Sequence, residues 1–149
     1  MHIYVLAELT KRSGKTLEVE RYPSGFLYVL KENELSHTLR KGEIYFLKLL
    51  RGKTKSGGTL HTLIEFVEIK KITGEAVSDI SVLSKCETLF TSLGILEEGI
   101  RKNKWYLFHE TQAQNELKEL KEEGIDLKVE EKKLKELLSQ KESVPALPI

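Results

Sequence analysis

The spacing of the apolar residues changes once along the chain, and that change limits what it can fold into. In the first half the clearest pattern alternates. Leu17, Val19 and Arg21 interleave with Thr16, Glu18 and Glu20, a period of two that turns one side of a strand inward and leaves the other in water. Past Gly74, Val82, Cys86, Leu89 and Leu93 fall at i, i+4, i+7 and i+11, the stripe of an amphipathic helix. Strands first and helices after predict an α+β chain, with residues 1–74 as one layer or domain and residues 75–149 as another.

Within the first half, Ile3 to Leu9 reads as a strand. Tyr22-Pro23-Ser24-Gly25 reads as a turn, from which Phe26 to Leu30 pairs back. Ile44 to Leu50 and Leu60 to Ile72 form a longer pair joined by the glycine-bearing stretch from Arg51 to Thr59. The last strand changes phase: Leu60, Thr62, Ile64 and Phe66 share one face, then Val67 and Ile69 take over, which predicts a bulge near Phe66 and Val67. Five short strands with a built-in bend suit closure. The expectation is an N-terminal five-stranded OB-like β-barrel over residues 1–74.

A small C-terminal helical domain is expected over residues 75–149, with an extended tail. Its first helix takes Ser78 or Asp79 as N-cap and Gly94 as its stop. Tyr106, Ala113, Leu117 and Leu120 make a second stripe ending at Gly124, and Leu127, Leu134 and Leu138 a third. Pro145 and Pro148 keep the tail from Ser143 to Ile149 out of a helix.

The residues exclude most chemistry. Cys86 is the one cysteine, so neither a disulfide framework nor a cysteine zinc module is possible, and its place in the apolar stripe makes it a core residue. Gly14-Lys15-Thr16 and Gly52-Lys53-Thr54 lack the glycine five residues upstream that a phosphate loop needs, since Leu9 and Leu47 stand there. His2, His37, His61 and His109 lie far apart, and most Glu fall in water-facing helical patterns. No catalytic residue, metal or cofactor is expected. No apolar run approaches the roughly 20 residues of a membrane helix, so a cytoplasmic protein with no membrane partner is expected. The Glu, Lys, Leu and Ile usage, with one Met and one Cys, resembles that of heat-adapted proteins.

What remains is charge. Residues 1–74 hold 13 Lys and Arg against 8 acids, and residues 75–149 hold 11 against 15. The basic half concentrates its cations at turns and strand ends: Lys11, Arg12 and Lys15, Lys31, Arg40 and Lys41, then Arg51, Lys53 and Lys55. Such loops on a small barrel can hold a phosphate backbone, with Tyr28 and Tyr45 as stacking candidates. Lys-rich hairpin tips also serve as edge protection. Arg101, Lys102 and Lys104 beside Trp105 form a second cluster for a partner, with Trp105 as a core anchor or the lining of a peptide groove.

The order of elements resembles the recombination mediator RecO family. Arg21 to Lys31 is similar to its turn, glycine and strand ending in a basic residue, and Arg51 to Leu63 to its basic hairpin. Val82 to Leu93, Trp105 to Leu120, and Leu134 to Leu138 followed by Pro145 resemble its helical run. The chain is short for that family and, with Cys86 alone, lacks the four-cysteine zinc module. The resemblance implies a non-enzymatic repair protein that binds single- and double-stranded DNA, promotes annealing, and works with RecR and the single-stranded-DNA-binding protein. It implies phosphate contacts at the basic positions of the barrel, while Arg101, Lys102 and Lys104 would meet DNA or an acidic tail. A dimerising or partner-docking module built on the stripes from Leu117 to Leu138, and an RNA-binding OB protein, are the alternatives.

Overall fold

The computed structural model describes residues 2–22, 25–69, 80–144 and 146–147. The chain divides into two compact units, Met1–Val77 and Ser78–Ile149, the first built on strands and the second on helices. The expected boundary at residue 74, the strand end at Ile72, the caps Ser78 and Asp79, and Pro23 and Ser24 of the turn lie outside the described residues.

The first unit contains strands β1 (His2–Ser13), β2 (Thr16–Arg21) and β3 (Leu27–Lys31), the one-turn helix α1 (Glu34–His37), and strands β4 (Ile44–Lys53) and β5 (Thr59–Glu68). They form a five-stranded mixed sheet that closes in a ring, in the order β1-β2-β3-β5-β4. All neighbours are antiparallel except β3 and β5, whose parallel closure rests on one residue pair, Leu30 with His61. Alternation along each strand sends Val5, Ala7, Leu9, Leu17, Val19, Leu30, Leu47, Leu49 and Leu63 into one buried cluster, and the burial of these side chains holds the ring together.

Two bulges shape the ring. In β1, Leu9 pairs with Val19 but Lys11 pairs with Glu18, so Thr10 is the extra residue. Beyond it the phase is reversed, and Arg12, opposite the buried Leu17, falls on the inward side. In β5, Leu63 pairs with Leu49 and Glu65 with Lys48, which makes Ile64 the extra residue. The bulge expected near Phe66 and Val67 therefore lies earlier, and the face assignment shifts with it. His61 and Leu63 point inward, Phe66 resumes that role, and Ile64 is exposed. The reason is β4, whose unbroken alternation of Tyr45, Leu47 and Leu49 dictates which β5 residues face the core.

The second unit contains α2 (Ile80–Arg101), the two-residue strand β6 (Trp105–Tyr106), α3 (Leu107–Glu122), α4 (Lys128–Gln140), a 3-10 turn (Lys141–Ser143) and β7 (Ala146–Leu147). Gly94 does not end the first helix, which continues to Arg101. An interior glycine costs about 1 kcal/mol, less than the burial of Leu89, Leu93 and Leu96 returns at about 1.5–3 kcal/mol each. The helix stops where Asn103 takes φ 58. The expected extended tail is present at Ala146 and Leu147, which pair in parallel with Trp105 and Tyr106. Trp105 is fully buried, and its Nε1 donates to Glu110 Oε1 at 2.9 Å. Among the described residues no helix is long and apolar enough to cross a membrane.

Candidate nucleic-acid interface

The two basic hairpins lie at opposite ends of β1. Leu50 of β4 pairs with His2, which puts the β4–β5 tip where β1 begins, whereas the β1–β2 tip continues from where β1 ends. At the β1–β2 end, two of the expected phosphate contacts, both exposed, are engaged by groups of the first unit. Arg12 Nη1 donates to Glu32 Oε1 at 3.2 Å, and Nη2 donates to the carbonyls of Ser36 at 3.2 Å, His37 at 3.1 Å and Leu39. Arg40 Nη2 stands 2.5 Å from Glu68 Oε1, and Tyr45 first and Glu68 second raise its already high pKa. Lys11, Lys15, Lys31 and Lys41 are exposed and form no ion pair among the described residues. Acids lie among them: Glu18 pairs with Lys11, and Glu20 with Glu8. That face is mixed in sign.

The other end differs. Arg51, Lys53 and Lys55 are exposed and form no ion pair among the described residues. Their hairpin is closed on itself: Thr54 N donates to Gly58 O at 2.9 Å, Gly58 N donates to Thr54 Oγ1 at 3.0 Å, and Gly57 takes φ +87. The glycines of this stretch thus serve the turn.

Aromatic groups sit beside these cations. Phe26 is 61% exposed, and its ring centroid lies 4.9 Å from that of Tyr28. Tyr28 in turn meets His61 edge-on at 5.3 Å, and His61 pairs directly across the strands with Arg51, so both lie on one side of the sheet. His61 is 6% exposed, and its Nδ1 has no hydrogen-bond partner. Burial pushes the imidazole pKa down, a hydrogen bond to the Val29 backbone opposes this, and the Arg51 charge lowers it again. The ring is therefore neutral near pH 7.

Tyr45, expected to stack bases, is 2% exposed. It faces the core, packs edge-on against Phe66 at 5.5 Å, and accepts from Arg40 N at 2.8 Å. The exposed ring near the β4–β5 hairpin is Phe26. The one signal in the sequence was position: Phe26 follows Gly25, whose φ of +79 ends the turn, and stands at the entry to β3.

In the second unit, Arg101 pairs with Glu97 at 3.5 Å, while Lys102 and Lys104 are exposed. Trp105 lies beneath the surface, so it serves as the anchor. Burial first, then Glu130, Glu123 and Glu116, push the Cys86 thiol up to about 12, the opposite of a nucleophile's environment. Ser92 Oγ and His109 Nδ1 lie 3.3 Å apart between α2 and α3. Among the described residues no three His, Cys, Asp or Glu are placed to hold a metal ion.

Neither the models of known protein families nor the curated proteins contain a match to this chain.

Proposed function

We propose that the chain is a non-enzymatic DNA-binding protein, that its first unit is an OB-like barrel, and that a single strand crosses the β4–β5 end of the ring. The observation that carries this reading is the juxtaposition there of three cations that form no ion pair among the described residues, Arg51, Lys53 and Lys55, and the exposed Phe26 over Tyr28. Cations gain free energy from phosphates by releasing counterions, and an exposed ring offers a base a stacking surface in any sequence. The strand order β1-β2-β3-β5-β4 supports the barrel assignment, and in OB barrels the β2–β3 face and the loop between β4 and β5 are the usual places for an oligonucleotide. A role in recombinational repair, including duplex binding, annealing, and RecR and the single-stranded-DNA-binding protein as partners, rests on the resemblance of element order.

The test is a titration of fluorescent single-stranded DNA at two salt concentrations, with the parent and with Arg51, Lys53 and Lys55 all replaced by Ala. A matched RNA strand in parallel distinguishes DNA from RNA binding through the 2′-hydroxyl. A second reading, self-association or partner docking by the helical unit, is favoured by an open groove of about 570 Å³ between α3 and α4, floored by Leu117, Leu134 and Leu138. A stable dimer in sedimentation with no oligonucleotide binding at low salt selects that reading.

A further inference from the structure

We infer that the mouth of the ring beside the β4–β5 hairpin is a nucleobase site: one unstacked base of the bound strand stacks on Phe26 and hydrogen-bonds to His61 Nδ1, with Arg51 beside it. The inference rests on the strand-binding reading above and adds the part of the ligand that is recognised.

Three observations converge on this place. First, His61 is nine-tenths buried, yet its Nδ1 meets no partner. A buried polar atom left unsatisfied forfeits its bond to water without return, and a ligand group that reaches it recovers that loss. Second, the chain of rings from His61 through Tyr28 to Phe26 runs from the buried imidazole to the surface, with centroid steps of 5.3 and 4.9 Å. Phe26 at its outer end is 61% exposed, so its ring surface is open to a stacking partner. Third, the wall at His61 is held by the single parallel pair with Leu30, so few backbone bonds resist an adjustment that opens a path to the imidazole.

The chemistry selects a base over a phosphate. The neutral imidazole spends its one N–H on the Val29 backbone, so the unpartnered Nδ1 is an acceptor; a base brings N–H donors to it and a phosphate diester brings none. Phosphates are left to the hairpin cations, and Arg51, paired with His61 across the strands, belongs to both sets.

The experiment compares binding of the full chain to a single-stranded oligonucleotide and to a strand of equal length and charge made wholly of abasic sites, by fluorescence anisotropy. The parent is expected to prefer the base-bearing strand by about tenfold. Phe26→Ala, a change at an exposed position, is expected to erase most of that preference while leaving the salt dependence as it was. Titrating the base-bearing strand into protein with 15N-labelled histidine is expected to shift the His61 Nδ1 resonance, and the abasic strand is expected not to. If the parent binds neither strand, the strand-binding reading falls and takes this inference with it. If the parent binds both strands equally, or binds DNA with no change at His61 Nδ1, the base site is overturned and the strand-binding reading stands.

Discussion

Arg12 Nη1 stands 3.2 Å from Glu32 Oε1 at the β1–β2 end of the ring. The same guanidinium reaches the carbonyls of Ser36, His37 and Leu39 at the end of α1. Of these, His37 O is among the acceptors that a helix leaves unsatisfied, whereas Ser36 O also accepts from Leu39 N at 3.2 Å, and a cation there also meets the negative end of the helix dipole. The Thr10 bulge makes this possible, because without the extra residue Arg12 would fall on the outer face with Glu18. A residue that the charge pattern assigns to DNA is thus a clamp between β1 and the segment from Glu32 to Leu39.

Arg12→Ala should lower the stability of the first unit by roughly 1.5–3 kcal/mol, the range for hydrogen bonds to a charged group. Arg12→Lys should recover little, since a single ammonium cannot reproduce a planar fork reaching several acceptors. Urea unfolding followed by far-ultraviolet circular dichroism measures both. An Arg12→Ala protein as stable as the parent would mean the clamp contributes nothing.

Replacing Arg51, Lys53 and Lys55 together by Ala should weaken single-stranded DNA binding for all sequences alike. The slope of log affinity against log salt should flatten by roughly 0.7 for each phosphate that the hairpin no longer neutralises. Arg12→Ala serves as the control, because its donors are already occupied within the fold, and its slope should match the parent's.

Gly99→Ala should destabilise the helical unit, although alanine is the better helix former by about 1 kcal/mol. A Cβ at Gly99 would lie 2.7 Å from Lys104 O and 3.2 Å from the Tyr106 ring. The backbone cannot yield cheaply there, because Lys104 N donates to Gly99 O at 2.8 Å and Tyr106 is paired with β7. A thermal melt that moved upward would show that α2 and β6 separate more easily than this geometry implies.

The buried Glu130 and the half-buried His109 give the helical unit opposite pH dependences. Burial first, with Asp126 adding to it, raises the Glu130 pKa. Its contribution is therefore complete below the ordinary carboxyl value of 4.5 and is lost as pH rises through the folded value. Burial lowers His109 below 6.5, so its contribution is complete above that value and is lost as pH falls through the folded value. Glu130→Gln should raise the urea midpoint at about pH 7 and converge with the parent at about pH 4. His109→Gln should remove part of the acid-side loss. Chemical denaturation across this range reads both, and parallel curves for parent and Glu130→Gln would refute the first.

The division into strands and helices was legible because periodicity reports which side of an element is buried, and Leu17, Val19, Cys86 and Leu89 lie where it places them. Position along an element was less legible. Gly94 looks like a stop when propensity is weighed alone, but burial along α2 overrides it. The bulges at Thr10 and Ile64 depend on the partner strand, which no local pattern contains. At the candidate site, the hairpin cations could be found because exposure is the default for lysine at a turn. Arg12 could not, since its partners come from α1, a helix too short to leave a periodic signal, and Tyr45 was misplaced for want of the register with Glu68. His61 is buried in mid-strand, and its bonding was beyond the reach of a linear pattern: Nδ1 is without a partner.

The lone Leu30–His61 pairing makes the ring a clasp rather than a hoop. The β1–β2, β1–β4 and β4–β5 contacts are ladders of several residues, so parting the clasp leaves a curled sheet that keeps most of its hydrogen bonds. A local opening of the ring short of unfolding would therefore part that one backbone pair, with the Tyr28–His61 and Asn33–Leu63 contacts beside it, while the longer ladders hold.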